Sequence, residues 1–146
     1  MKAILYAGIL VLTAVIIGGC MTTQPPGEPV PPAPRYPSLL GNWSGTMTGY
    51  VEGQGFTEYK GSVMTMSVTE QKDRIFKGDF IFTDPTGLKD SEKFAGVINR
   101  DERSFTVVEG GGGYTFGSLI TPDEMELIYV DDAEPIDVAI DTLTRG

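Results

Sequence analysis

Residues 38–146 are predicted to form an all-β domain, an antiparallel up-and-down β-barrel of about eight strands. Three observations carry this expectation. After Gly41 the apolar and aromatic residues recur mainly with period two. The breaks between runs fall at turn chemistry, such as Glu52-Gly53-Gln54-Gly55 and Asp84-Pro85-Thr86-Gly87, and no stretch has the 3.6-residue apolar period of an amphipathic helix. Short strands joined by short turns resolve their unpaired edges most simply by closing on themselves. A two-sheet sandwich is the alternative, and it usually needs longer crossovers than this sequence offers.

The chain before the barrel reads as an export leader and a spacer. Met1-Lys2 is a short cationic start, and residues 3–17 form an apolar run in which Thr13 is the one hydroxyl side chain apart from Tyr6. A run of this length followed by small residues fits a signal peptide better than a spanning helix, which needs roughly 20 apolar residues. Ile17-Gly18-Gly19-Cys20 resembles the lipobox of prokaryotic lipoproteins. That resemblance implies that residues 1–19 are removed and that Cys20 becomes a lipidated N-terminus. The implied partner is a membrane, held through acyl chains, with the domain on the extracytoplasmic side of the cell envelope. Two or more chains at about 0.8 kcal/mol per buried methylene make such an anchor effectively permanent. Residues 20–37 contain seven of the ten prolines and cannot pack a core. At about 3.1 Å per residue in polyproline II they form a semi-rigid tether of up to roughly 50 Å.

The strands then follow in order. Residues 43–50 form a first strand, 58–69 a long second, 74–82 a third and 91–99 a fourth. Residues 103–109, 114–120, 124–130 and 136–144 complete the set. Thr83-Asp84-Pro85-Thr86-Gly87 is a type I turn with proline in its second place. Phe76-Lys77-Gly78-Asp79-Phe80 and Phe94-Ala95-Gly96-Val97-Ile98 echo each other and put a glycine on the inner face of each strand. Such a glycine marks sharp curvature or a close approach by another group. Gly110-Gly111-Gly112-Gly113 has no Lys-Ser/Thr behind it for a phosphate loop, and reads as a hairpin tip gating one end of the barrel.

Gly41-Asn42-Trp43 on the first strand, with Arg145 at the end of the last, resembles the lipocalin and related calycin barrels. The resemblance implies that the tryptophan lies beneath the barrel floor and packs against the terminal arginine, a cation–π contact that closes one end. A barrel of eight strands either fills its interior with side chains or leaves room for one small ligand. Trp43, Met47, Phe76, Phe80, Phe82, Phe94, Phe105, Tyr114, Phe116 and Tyr129 form the expected inward set. Trp43, Met47, Phe76, Phe80, Phe94, Tyr114, Phe116 and Tyr129 are the candidate ligand-binding residues. Ile75, Ile81, Val97 and Ile128 fall on the opposite, outward parity.

Composition narrows the function classes. Lys plus Arg 11 against Asp plus Glu 20 gives a formal charge of −9, which leaves no basic face for nucleic acid. The absence of histidine removes the commonest general base and metal ligand. With Cys20 assigned to lipid, no spacing singles out a nucleophile and its base, so no catalytic residue and no cofactor is expected. Asp131-Asp132-Ala133-Glu134 with Asp137 and Asp141 offers oxygen ligands but lacks the spacing of a calcium loop, and no metal is expected there. The expectation is a non-enzymatic, lipid-anchored protein binding a small apolar or amphipathic ligand. Its rival is a filled barrel that binds another protein through its loops or outer face, and the mark of that rival is an exposed apolar patch.

Overall fold

The computed structural model describes residues 36–146. The leader 1–19, Cys20 and all but the last two residues of the tether 20–37 lie outside the described residues. The described chain is all-β: β1 (Gly41–Val51), β2 (Gly55–Thr57), β3 (Val63–Lys72), β4 (Ile75–Thr83), β5 (Lys89–Ile98), β6 (Ser104–Glu109), β7 (Tyr114–Thr121), β8 (Glu124–Asp131) and β9 (Asp137–Arg145). Each strand pairs antiparallel with its neighbour in the order β2-β1-β3-β4-β5-β6-β7-β8-β9, and β1 also pairs with β9. The sheet therefore closes into a barrel of eight staves with one short extra strand.

That extra strand is the main departure from the expected meander. Residues 52–57 were expected to be turn and connection, yet Gly53 and Gly55 take positive φ and fold Phe56 back beside Tyr50. As a result one edge of β1 is divided. Its first half, Gly41 to Gly45, pairs with β3, and its end, Gly49 to Val51, pairs with β2. The opposite edge is continuous, pairing with β9 from Trp43↔Arg145 to Val51↔Asp137.

One end of the barrel is sealed by packed apolar side chains. Leu39, Trp43, Met66, Phe76, Ile98, Phe105, Val107, Met125, Leu127 and Leu143 are all buried there. Phe76 packs edge-on against Phe94 and Phe105, with centroids 6.0 and 5.6 Å away, a favourable arrangement for ring quadrupoles. The inward glycines make room for these rings. A Cβ on Gly96 would lie 2.4 Å from Phe76 Cζ, and one on Gly117 2.0 Å from Phe105 Cε2. Close approach by a ring is thus the reason for glycine at Gly96. At Gly78 the approaching group is backbone, the Ser67 carbonyl oxygen, 1.9 Å from where a Cβ would be. This lies beside the irregularity between Val68 and Glu70 in the β3–β4 register, where bending brings the strands close.

The floor is built as the Trp/Arg pattern implies. Arg145 Cζ sits 4.0 Å from the Trp43 ring centroid, and the indole N–H donates to the Leu39 carbonyl at 2.8 Å. Gln71 fastens the incoming chain across the same end: its Oε1 accepts from the Leu39 amide and its Nε2 donates to the Pro37 carbonyl. The expected type I turn is present, with the Gly87 amide bonded to the Asp84 carbonyl and the Asp84 carboxylate accepting from the Thr86 and Leu88 amides.

Candidate functional site at the open end of the barrel

The other end is hollow. A cavity of about 210 Å³ lies inside the wall, lined by Met47, Tyr59, Met64, Phe80, Phe82, Glu92, Glu109, Thr115, Tyr129, Asp137, Ala139 and Asp141. Period-two alternation puts these side chains there. Glu109 continues the inward parity of Phe105 and Val107 on β6, and Asp141 stands between the inward Ala139 and Leu143 on β9. Thr115 holds the corresponding place on β7, ahead of Gly117 and Leu119.

The cavity combines apolar walls with carboxyl groups. Met47, Met64, Phe80 and Phe82 form the apolar part, and Phe80 continues into the core through Phe94, 4.6 Å between centroids. Tyr59 stands edge-on to Phe82 at 6.2 Å. Glu109 accepts a hydrogen bond from the Thr115 hydroxyl, and Tyr129 donates to Asp131 at 3.2 Å. Glu92 accepts from the Gly111 amide at 2.9 Å, so the four-glycine tip is tied to the cavity's rim.

Asp141 is the most costly group in this set. It is 2 % exposed, and its Oδ1 has no hydrogen-bond partner among the described residues; the buried Oδ1 of Asp137 is likewise unmatched. Burial pushes the Asp141 carboxyl up to about 7. Burial, together with the neighbouring Glu92, pushes Glu109 up to about 8 even though the Thr115 hydroxyl opposes the shift. Asp137 is raised by burial and by Asp131, and burial raises Tyr59 and Tyr129 too. Among the described residues, no lysine or arginine lines the cavity.

The structure divides the candidate ligand-binding residues into three groups. Met47, Phe80 and Tyr129 line the cavity, as does Phe82 of the wider inward set. Trp43, Phe76 and Phe94 are buried in the sealed half, with Phe105 beside them. Tyr114 and Phe116 were expected inside, but they point outward and are 53 % and 49 % exposed. Their parity is set by the neighbours: Thr115 reaches Glu109 inside, and the Phe105 ring occupies the space over Gly117. Glu92, Glu109, Thr115, Asp137 and Asp141 were not among the candidates, although the alternation that places Phe105 and Leu143 inside places Glu109 and Asp141 there too.

Tyr114 and Phe116 join an apolar belt on the outer wall. Tyr114 pairs with Val108 and Val130, Phe116 with Ile128, Ile128 with Ile140, and Val130 with Val138. Val138 pairs with Tyr50 and Tyr50 with Phe56, which is 92 % exposed. A shallow groove of about 810 Å³ runs along this wall between Phe56, Ile128 and Ile140. Of the four residues expected on the outer face, Ile128 belongs to the belt, Ile75 and Val97 form a separate exposed pair, and Ile81 is half-buried. The acidic segment around Asp131 divides: Asp131 bonds the Ala133 amide and is the register partner of Asp137, while Asp137 and Asp141 line the cavity. Among the described residues no three His, Cys, Asp or Glu side chains are grouped to hold a metal.

No family model matches the chain, and no curated protein matches it. Among solved structures it is similar to a redesigned β-barrel, with a TM-score of 0.52 and 16 % identity over 74 % of this chain and 91 % of that one. A de novo designed fluorescence-activating β-barrel aligns with a TM-score of 0.46 and 12 % identity over 74 % of this chain and 94 % of that one. At 16 % identity the first likeness shows the fold, a β-barrel, and nothing further.

Proposed function

We propose that this chain is a lipid-anchored extracytoplasmic protein, without enzymatic activity, whose lipocalin-like barrel binds a small amphipathic ligand in its open end. The observation that carries this reading is the asymmetric interior. One half is packed with rings and aliphatic side chains, and the other keeps a cavity of about 210 Å³ with apolar walls and a few polar groups. Such a lining holds a small amphiphile, with the apolar walls supplying affinity and the polar groups orientation. The lipobox-like Ile17-Gly18-Gly19-Cys20 supplies the anchor, and the proline-rich tether the distance from the bilayer.

Native mass spectrometry of the chain extracted from its own membrane tests both parts. The expected result is a protein beginning at Cys20, heavier by its acyl groups, that carries a further small mass lost on denaturation. An unacylated N-terminus overturns the anchor, and an apo mass under gentle conditions overturns the ligand. A second reading, a protein-binding module, is favoured by the outer belt. On that reading Phe56→Ser abolishes capture of the partner while leaving ligand carriage intact. Retention of the partner by this variant removes the belt's support.

A further inference from the structure

The fold keeps Asp141 where an apolar residue would pack. Its neighbours on the same inward row, Ala139 and Leu143, are apolar, and a buried carboxyl without a partner costs several kcal/mol when ionised. Among the described residues that line the cavity, none is a lysine or arginine that could neutralise it. A second carboxyl, Glu109, faces the same space and feels Asp141 electrostatically. Four carboxyls line this space, Glu92, Glu109, Asp137 and Asp141, two of them with an unmatched buried oxygen, and together they form a receptor for positive charge.

We propose that the open end of the barrel takes an ammonium-bearing amphiphile, its cationic head between Asp141 and Glu109 and its apolar body against Met47, Met64, Phe80 and Phe82. This rests on the ligand-carrying reading above and specifies its ligand class. An organic cation fits better than a bare metal ion. The carboxyls stand beside aromatic and thioether walls, and no group of three or more His, Cys, Asp or Glu side chains placed to hold a metal forms among the described residues. Tyr59 and Tyr129 add aromatic rings to the lining, a residue type that attracts an alkylammonium most strongly where water is excluded. Electrostatic complementarity of this kind fixes ligand choice by rejecting anions as much as by attracting cations.

The test is calorimetric titration of the full chain in lipid nanodiscs, with empty nanodiscs subtracted, using octylammonium, octanol, octanoate and calcium chloride as probes. Octylammonium is expected to bind about tenfold or more tightly than octanol, with octanoate weakest and calcium not competing. Asp141→Asn and, independently, Glu109→Gln are expected to reduce the preference for octylammonium over octanol by about tenfold while octanol affinity stays within about twofold. Equal binding of octylammonium and octanol overturns the cation assignment and leaves the amphiphile-binding cavity standing. Calcium binding that displaces octylammonium overturns it in favour of a metal. Binding of none of the three organic probes overturns both this inference and the reading on which it rests.

Discussion

The Arg145 guanidinium lies 4.0 Å from the centroid of Trp43, and the two residues are register partners at the end of the β1–β9 pairing. The same guanidinium donates to the carbonyls of Leu40 and Ser38, both at 2.8 Å, and its Nε is 3.3 Å from Asp123. One side chain therefore covers the floor, ties down the entering chain and locks the closing strand pair. Arg145→Ala is expected to cost about 2 kcal/mol, from a partly exposed cation–π contact and charged hydrogen bonds weakened by their exposure to water. Arg145→Lys should recover less than half of that, because an ammonium lacks the planar fork. Denaturant midpoints at constant m-value measure both.

Stability should fall as pH rises through neutrality. Glu109 and Asp141 are raised to about 8 and about 7 in the folded chain, against ordinary values of 4.5 and 3.8. Between the ordinary and raised values the native state holds protons that the unfolded state has lost, so each unit of pH in that window favours unfolding. The groups facing these two are Tyr59, Glu92, Thr115, Tyr129 and Asp137, none of them a cation. Asp84 and Asp101 act oppositely, since side-chain hydrogen bonds from Thr86 and Ser104 hold their carboxyls below the usual range, and their contribution is lost only in acid. The melting temperature is expected to be about 5 °C or more higher at pH 5 than at pH 8. Asp141→Asn should flatten that slope and raise the pH 8 value. A pH-independent melting temperature between 5 and 8 would refute the assignment.

Gly117 gives a packing prediction. Its Cβ would lie 2.0 Å from the Phe105 ring, so Gly117→Ala is expected to destabilise by about 1–3 kcal/mol through overpacking. Phe105→Leu in the same chain should return part of the loss, a coupling that a double-mutant cycle reads directly. If the two substitutions prove additive, the ring does not depend on the glycine.

The barrel was legible in the sequence because its two determinants are local. Period two and turn residues mark eight of the nine strands to within a few residues at most ends, and Trp43 with Arg145 marks the closure. The short β2 was not legible, since three residues after a glycine turn carry no period of their own. Side-chain direction was read correctly where one face is clearly apolar, as in Phe76, Phe80 and Phe82, and wrongly on β7, where both faces carry apolar residues. There Tyr114 and Phe116 outweigh Thr115 and Gly117 in hydrophobicity, yet the three-dimensional neighbours Glu109 and Phe105 decide the parity. The carboxyls of the cavity were hidden for a related reason. An acid in an alternating strand is ordinarily assigned to water, and only the closure of the barrel brings Glu109 on β6 and Asp141 on β9 to one cavity.

The divided edge of β1 has a mechanical consequence. Between Gly45, the last partner of β3, and Gly49, the first partner of β2, the residues Thr46, Met47 and Thr48 have no strand beside them on that edge among the described residues. Their other edge is held by β9, through Thr142, Asp141 and Ile140. The ladder thus has a gap, and Met47, which borders the cavity, stands on it. Parting the edge there breaks no register pair of those three residues, so this part of the wall is held by fewer bonds than the stretches on either side. For the proposed amphiphile, this gap in the ladder is where a tail longer than the cavity would pass out of the wall while its head stayed beside Asp141.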